Sequence, residues 1–227
     1  MSAAVQIRAP QAANTERLRI SEIFYSLQGE TRTVGFPTAF VRLTGCPLRC
    51  QYCDTEYAFR GGHWMEVGEI LTNIAGLDTR YVTVTGGEPL AQKHCLTLLR
   101  RLCDLRYEVS LETSGAMELA YVDERVVKVM DLKTPDSQEA DKNLYANIDH
   151  LRRKDQVKFV ICSREDYEWA RAVIDQYQLG SRCEVLLSPS HEQLAAGLLG
   201  DWILADRLTV RLQIQLHKYL WGNVPGR

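Results

Sequence analysis

The sequence lacks the features that mark a protein for a membrane or for nucleic acid. No segment of its 227 residues is as long and apolar as a membrane span, and the N-terminus has no apolar run typical of signal peptides. Its 27 basic and 29 acidic residues are scattered along the chain and leave a formal net charge of -2, so no basic face predicts nucleic-acid or lipid binding. We therefore expect a cytoplasmic protein whose ligands are small molecules.

The sequence also has few of the residues that mark linkers and repeats. It contains seven prolines, and it shows no Pro/Gly-rich linker, internal repeat or low-complexity tract. With 45% hydrophobic residues, a chain of this length can bury a large core. These features predict a flexible N-terminal tail over residues 1–17 and a single domain over residues 18–227.

Short β-rich runs alternate with longer amphipathic segments through most of the chain. Six runs are strand candidates, at residues 38–43, 81–85, 108–113, 126–132, 157–161 and 184–189. Strands that alternate with helices pair in parallel through right-handed crossovers. Six such units are too few for a closed eight-stranded barrel. The pattern therefore predicts an α/β fold, a partial, open TIM-type β/α barrel with about six parallel strands.

Unusual residues follow five of these six strands. The segments are "GCPLRC", "GGEP", "ETSG", "DLKTP" and "SPSH", after the first, second, third, fourth and sixth strands. Parallel α/β sheets bind their ligands at the carboxyl ends of the strands. The sequence therefore predicts one site at this edge of the sheet.

The chain has seven cysteines, and three of them fall within eight residues, at Cys46, Cys50 and Cys53. In a reducing compartment, clustered thiols indicate metal or redox chemistry rather than disulfides. The remaining cysteines lie in apolar helix or strand patterns, where free cysteine acts as a small buried hydrophobe. These four, to which we assign no function, are Cys95, Cys103, Cys162 and Cys183.

Three clustered thiols admit more than one interpretation. A structural zinc site needs a fourth ligand, and His63 is the nearby candidate for it. A zinc-stabilised binding module without catalysis is therefore one of the interpretations that the sequence leaves open. Packing of three cysteines in a core is disfavoured by the Pro, Arg, Gln and Asp residues among them. Three thiolates can instead hold three irons of a 4Fe–4S cluster and leave the fourth iron free for a small ligand such as S-adenosylmethionine.

The spacing of the cysteines, with Tyr52 just before the last of them, resembles the signature of the radical S-adenosylmethionine superfamily. The resemblance implies that the three thiols bind a 4Fe–4S cluster. "TVTGGEP" is similar to the glycine-containing element of that superfamily. Gly86 and Gly87 would let the backbone approach the methionine amino group, and Glu88 would carry charge toward it.

Four further segments, "EIFYSLQGE", "FVRLTGC", "CDTEYAF" and "QLHKYLWG", resemble the 7-carboxy-7-deazaguanine synthases, carbon–nitrogen lyases of the pathway to deazapurines such as queuosine. The match runs from about Leu18 to Trp221. It implies a homodimer that converts 6-carboxy-5,6,7,8-tetrahydropterin into 7-carboxy-7-deazaguanine with loss of ammonia. A 5'-deoxyadenosyl radical would abstract hydrogen at C6 before ring contraction. The resemblance also implies magnesium and an external electron donor such as flavodoxin or ferredoxin.

The same resemblance assigns roles by motif position. Thr55 matches the magnesium ligand of the family. The residues that match substrate contacts are Leu27, Gln28, Gly29, Glu30, Arg42 and Thr85, with Gln215 and His217 near the C-terminus. The residues that match S-adenosylmethionine contacts are Tyr52, Cys53, Asp54, Gly87, Glu112, Ser114, Asp131, Leu132, Lys133, Ser188, Pro189, Ser190 and His191.

The partner of Arg42 and the role of the C-terminal residues need separate arguments. Arg42 lies inside an apolar strand, where a guanidinium needs an anionic partner, either the substrate carboxylate or a protein carboxylate such as Glu30. Some relatives end at a proline whose terminal carboxylate reaches the substrate. Here Pro225 is followed by Gly226 and Arg227, so that contact is not carried over.

A second radical enzyme is also compatible with the cysteine spacing and the chain length. A glycyl-radical activase acts on a protein backbone and needs an open groove for a polypeptide. "LQGE" together with "HKYLWG" favours an enclosed site for a small molecule instead.

Overall fold

The computed structural model describes residues 16–224 and residue 226. Residues 1–15, which make up most of the predicted tail, lie outside the described part, as do Pro225 and Arg227. The carbonyl of Glu16 accepts a hydrogen bond from the N–H of Val67, and the first strand begins at Arg17. The predicted division into a tail over residues 1–17 and a domain over residues 18–227 stays a prediction.

The described residues form one nine-stranded sheet. Its strands are β1 (Arg17–Leu27), β2 (Pro37–Leu43), β3 (His63–Glu66), β4 (Tyr81–Gly86), β5 (Glu108–Thr113), β6 (Val127–Asp131), β7 (Gln156–Ile161), β8 (Glu184–Pro189) and β9 (Arg211–Leu212). Their order is β3-β1-β2-β4-β5-β6-β7-β8-β9, and every pair from β2 onward is parallel. The order is open at both ends, so the predicted open α/β barrel is confirmed, with β1 added antiparallel to β2 and β3 added antiparallel to β1.

Helices cover the outer face of the sheet. They are α1 (Val67–Ala75), α2 (Cys95–Asp104), α3 (Arg164–Gln176), α4 (Leu179–Arg182) and α5 (Ala196–Ala205). The last helix, α6 (Leu216–Trp221), lies instead on the side of the inner face. The buried apolar residues of α1, α2, α3 and α5 pack against one face of the strands and form a single core. None of the described helices is both long and apolar enough to cross a membrane.

Three of the four scattered cysteines lie in this core as predicted. Cys95, Cys103 and Cys183 are buried, and none of them is in a disulfide. Cys162, at the end of β7, is only half-buried, which corrects the expectation for that residue. Burial raises the pKa of the Cys162 thiol to about 12.

A buried ion pair joins β6 to the loop before β7 on the helix-covered side of the sheet. The Lys128 ammonium lies 3.0 Å from Asp155 Oδ2, and the two side chains are 3% and 0% exposed. The Asp155 carboxylate also accepts hydrogen bonds from the N–H groups of Lys128 and Arg152. The pair therefore fixes the start of two adjacent strands.

Replacing Asp155 with alanine is expected to lower the free energy of unfolding by about 3–5 kcal/mol, because it leaves a buried lysine without its anion. Urea denaturation monitored by circular dichroism measures this change. The control is Glu108→Ala, which removes the exposed partner of Arg80 and is expected to change stability by less than about 1 kcal/mol. Equal losses in the two variants would contradict the structural role of the buried pair.

Candidate functional site

A cavity of about 630 Å³ lies on the inner face of the sheet, toward the carboxyl ends of the parallel strands. Every predicted site residue except Leu132 and Glu88 lines it. Leu132 is fully buried in the core, and its N–H donates to the carbonyl of Lys158. The segments after five different strands thus meet at one site, as the sequence predicted.

The two-residue period of the strands determines which side chains face this cavity. On β7, for example, Val157, Phe159 and Ile161 are buried in the core, whereas Lys158 and Val160 line the cavity. Parallel register then aligns the inward residues of neighbouring strands in pairs. These pairs are Arg42 with Thr85, Glu112 with Val129, Asp131 with Lys158, and Val160 with Ser188.

Three free thiols form one wall of the cavity. Cys46, Cys50 and Cys53 are half-buried, and the N–H of Cys53 donates to the carbonyl of Cys50 at 3.1 Å. Burial raises the pKa of all three thiols, that of Cys50 to about 11. Binding of metal by these thiols therefore releases protons.

The arrangement of the thiols fits a cluster better than a single zinc ion. Within residues 16–224, no group of three or more His, Cys, Asp or Glu side chains converges on a single-ion site. His63, the candidate fourth zinc ligand, lies on β3 opposite Ile20 and does not line the cavity. In a 4Fe–4S cluster each thiolate binds its own iron, so the sulfur atoms need not converge.

The turn after β4 packs directly against the first cysteine. Gly86 has a φ of 145°, a conformation that glycine adopts without strain. A Cβ atom on Gly87 would lie 2.2 Å from the carbonyl oxygen of Gly45 and 2.8 Å from Cβ of Cys46. The turn can approach the thiol loop only because glycine occupies this position.

Glu88 does not face the cavity, contrary to the expectation that it carries charge toward a ligand. Its side chain is fully buried. Its carboxylate accepts hydrogen bonds from the N–H of Leu90, the hydroxyl of Thr113, and both the N–H and hydroxyl of Ser114. Glu88 therefore acts through Ser114, which lines the cavity at the end of β5.

The segment 27–30 crosses the inner face of the sheet. The Gln28 amide donates to Thr83 Oγ1 at 3.0 Å and to Glu112 Oε1 at 3.2 Å, and the Thr85 hydroxyl donates to Glu112 Oε2 at 2.9 Å. Burial raises the pKa of Glu112. The structure therefore groups Glu112 with residues matched to the substrate, whereas the sequence assigned it to the cofactor.

Buried charges line the floor of the cavity. The Lys158 ammonium lies 2.8 Å from Glu30 Oε2 and 3.4 Å from Asp131 Oδ2, which in turn lies 3.1 Å from the Lys133 ammonium. Burial raises the pKa of Glu30, but the Lys158 ammonium outweighs that effect and lowers the pKa to about 2. Glu30 is thus a carboxylate at neutral pH.

Two buried polar atoms on the wall formed by Tyr52 and Asp131 have no hydrogen-bond partner. They are Oδ1 of Asp131 and the hydroxyl of Tyr52, whose ring lies 5.7 Å from the Lys133 ammonium. Buried polar groups in proteins are nearly always paired. Two unpaired atoms on one wall fit a site whose ligand supplies the missing partners.

Arg42 does have a protein carboxylate as its partner, but the partner is not Glu30. Its Nε lies 2.7 Å from Glu22 Oε1, an oxygen that also accepts from the Tyr57 hydroxyl at 2.8 Å. The guanidinium carbon lies 5.5 Å from the centre of the Phe24 ring and 5.8 Å from that of Tyr57. Arg42 and Tyr57 line the cavity, so the charged head still faces the site.

The C-terminal helix closes the side of the cavity next to the thiols. The Gln215 amide donates to Glu30 Oε1 at 2.8 Å and to Asp54 Oδ2 at 3.3 Å, and the Lys218 ammonium lies 2.6 Å from Asp54 Oδ2. The Thr55 hydroxyl donates to Asp54 Oδ1 at 2.8 Å. Gly222, Asn223, Val224 and Gly226 also line the cavity, although sequence reasoning gave them no role.

Sequence reasoning missed several other residues of the site. Lys158 is the clearest case, since it is a cation inside an apolar strand, the same signal that identified Arg42. Glu22 and Tyr57 gave no comparable signal, because Glu22 lies in a strand that the sequence did not predict and Tyr57 lies in a short turn after the thiols.

Three clustered thiols at the carboxyl edge of an open parallel barrel define a radical S-adenosylmethionine protein. In agreement, the sequence model of the Radical SAM superfamily matches residues 40–178. The chain is 44% identical over 208 residues to the 7-carboxy-7-deazaguanine synthase of Chlorobaculum tepidum, which covers 90% of this chain and 94% of the relative. The relative of the same name in Koribacter versatilis is 42% identical over 219 residues, 90% of this chain and 97% of its own length.

The chain therefore belongs to the 7-carboxy-7-deazaguanine synthase family, which confirms the resemblance drawn from its motifs. A solved structure, QueE from Escherichia coli, superposes with a TM-score of 0.74 over 88% of this chain and 94% of that chain. Its sequence identity is 22%, so this similarity supports the fold.

Proposed function

We propose that this protein converts 6-carboxy-5,6,7,8-tetrahydropterin into 7-carboxy-7-deazaguanine with loss of ammonia. The observation that carries the proposal is one cavity in which three free thiols face a wall of buried charges. The relatives at 44% and 42% identity bear the name of this activity. The same assignment makes the protein a carbon–nitrogen lyase of deazapurine biosynthesis.

Cys46, Cys50 and Cys53 would hold the 4Fe–4S cluster. When bound, the cluster and S-adenosylmethionine supply the carbon-centred radical on which this chemistry depends. The half-buried position of the thiols shields the site from water, and the contact of Gly87 with Cys46 fixes the first of them.

The cofactor side of the cavity offers partners for a zwitterionic ligand. Asp131 Oδ1 and the Tyr52 hydroxyl are buried and unpaired, and the Lys133 ammonium lies beside both groups. Ser114 at the end of β5 and the segment 188–191 after β8 complete this wall. We assign S-adenosylmethionine to this side.

The substrate side combines a fixed carboxylate with a guanidinium. Glu30 is ionised and held by Lys158 and Gln215, so it can accept hydrogen bonds from the pterin nitrogens. Arg42 faces the cavity and presents the planar donor group that binds a carboxylate with two hydrogen bonds. Gln28 and Thr85 face the same space, and we assign the pterin to it.

We also propose that magnesium binds at Thr55. Its hydroxyl and the adjacent Asp54 carboxylate supply the oxygen ligands that a hard cation prefers. Turnover should rise when magnesium is added to metal-depleted, cluster-loaded protein, and a rate independent of magnesium would contradict this assignment.

The partners and compartment follow from the same family assignment. We propose a cytoplasmic homodimer reduced by an external donor such as flavodoxin or ferredoxin. The three unpaired thiols suit a reducing compartment. The homodimer is supported by exposed apolar side chains on β1 and β3, where Tyr25 and Trp64 are 46% and 56% exposed. Light scattering of the reconstituted protein tests the dimer, and a monomeric mass would exclude it.

The decisive experiment is an anaerobic assay of reconstituted protein with the carboxytetrahydropterin, S-adenosylmethionine and a reductant. We expect 7-carboxy-7-deazaguanine to form, together with about four irons and four sulfides per chain. A colourless protein with one zinc would exclude the cluster. If the rate of S-adenosylmethionine cleavage is the same with and without the pterin, and no deazaguanine forms, the substrate is a different molecule.

A further inference from the structure

Lys158 occupies the centre of the charge network in the cavity. It lies in the middle of β7, and its side chain points inward and is 15% exposed. Burial lowers the pKa of its ammonium, but the carboxylates of Glu30 and Asp131, with Glu112 behind them, hold that pKa well above its usual range. Lys158 is thus a permanent cation shared between acidic residues of different strands.

The two closest partners of Lys158 belong to different halves of the site. Glu30, at 2.8 Å, lies in the segment matched to the substrate, and Asp131, at 3.4 Å, lies in the segment matched to the cofactor. Asp131 reaches Lys133 with the same oxygen, Oδ2, and leaves Oδ1 unpaired. One ammonium therefore joins the two carboxylates, while Lys133 holds Asp131 and Gln215 holds Glu30 from their other sides.

We propose that Lys158 is a positioning residue that holds Glu30 for the pterin and Asp131 for S-adenosylmethionine, so that the affinity for each ligand depends on it. This inference rests on the proposed function. Without the cation, the carboxylates of Glu30, Asp131 and Glu112 would lose the positive charge that all three share. Repulsion would turn Glu30 and Asp131 away from the positions in which they meet their ligands.

The same chain offers a matched control in Lys128. Both lysines lie within parallel strands and pair with a carboxylate, Lys128 with the fully buried Asp155 at 3.0 Å and Lys158 with the largely buried Glu30 at 2.8 Å. Lys128 lies on the helix-covered side of the sheet and does not line the cavity. A purely structural effect of losing a buried lysine should therefore appear equally in Lys128→Met and Lys158→Met.

The test measures binding of S-adenosylmethionine and of the carboxytetrahydropterin by anaerobic calorimetry, on cluster-loaded wild type, Lys158→Met, Lys158→Arg and Lys128→Met. We expect Lys158→Met to weaken both affinities by at least about tenfold, or about 1.4 kcal/mol for each ligand, because hydrogen bonds to charged groups are stronger than those between neutral groups. Lys158→Arg keeps the charge and should restore most of each loss. Lys128→Met should lower the melting temperature and leave both affinities unchanged.

The possible results distinguish failure of the role of Lys158 from failure of the proposed function. Wild-type affinities in Lys158→Met, or loss of affinity for one ligand alone, would overturn the role of Lys158 as a shared positioning residue. If Lys158→Met does not fold, weakened affinities for both ligands in Lys128→Met would overturn it as well, because loss of a buried lysine outside the cavity would then be sufficient. Failure of the wild type to form any deazaguanine would refute the proposed function instead, because that result does not depend on Lys158.

Discussion

Replacing Cys50 with alanine is expected to abolish both cluster binding and activity. The three thiols line one wall of the cavity, and each would bind a separate iron, so a chain with only two thiols leaves two irons without protein ligands. Iron and sulfide content, the visible absorption spectrum and deazaguanine formation measure the effect. We expect all three signals to fall to the level of protein that was never reconstituted.

The matched control for this prediction is Cys95→Ala. Cys95 is also a free thiol, but it is fully buried in α2 and does not line the cavity. Its replacement should cost about 1 kcal/mol of stability and leave cluster content and activity intact. A cluster retained by Cys50→Ala and lost by Cys95→Ala would require a different set of iron ligands.

The second large effect is expected from Gly87→Ala. The added Cβ would lie 2.2 Å from the carbonyl oxygen of Gly45, and neither backbone can move without shifting Cys46. Because catalytic groups displaced by about 1 Å can lower rates by about 100-fold, we expect activity to fall by at least that factor. Steady-state turnover together with iron content distinguishes a displaced cluster from one that is lost.

Gly68→Ala provides the comparison for this substitution. Gly68 lies in α1, and a Cβ there would meet no atom within 4 Å. Alanine in a helix is favoured over glycine by up to about 1 kcal/mol, so this variant should melt slightly higher and turn over like the wild type. Equal activity in Gly87→Ala and Gly68→Ala would mean that the turn after β4 does not position the first cysteine.

The parallel part of the fold was predictable because its strands are short, largely apolar runs separated by helical patterns. All six predicted strands are present, each within one residue at either end. β1 escaped detection because it carries Arg17, Arg19 and Glu22 and is only partly buried along its second half. β3 and β9, at four and two residues, are too short for periodicity to reveal.

Charged residues inside apolar strands show what a sequence can and cannot say about a site. Arg42, Lys128 and Lys158 all interrupt apolar runs, and each has a carboxylate partner in the structure. Two of them line the cavity, and Lys128 lies on the opposite face of the sheet. A basic residue inside an apolar run predicts that an anion lies next to it. Strand register and pairing determine which face of the sheet carries that pair.

The partners of these charges could not be predicted for a related reason. Glu22 pairs with Arg42 because β1 lies antiparallel beside β2, and that pairing places Glu22 directly opposite Arg42. Gln215 reaches Glu30 across 185 positions of the chain, a separation that no local pattern constrains. Motif resemblance supplied the candidate residues, and only the tertiary fold determined which of them are in contact.

The contact of the C-terminal helix with Gly29 has a consequence for how the site comes together during folding. The N–H of Leu216 donates to the carbonyl of Gly29, and a side chain on Gly29 would collide with the His217 ring. The part of the cavity wall that contains Gly29 and His217 thus joins a segment near the start of the described chain to one near its end. Because closing so long a loop requires the intervening sheet to be in place, the barrel has to form before its binding site exists.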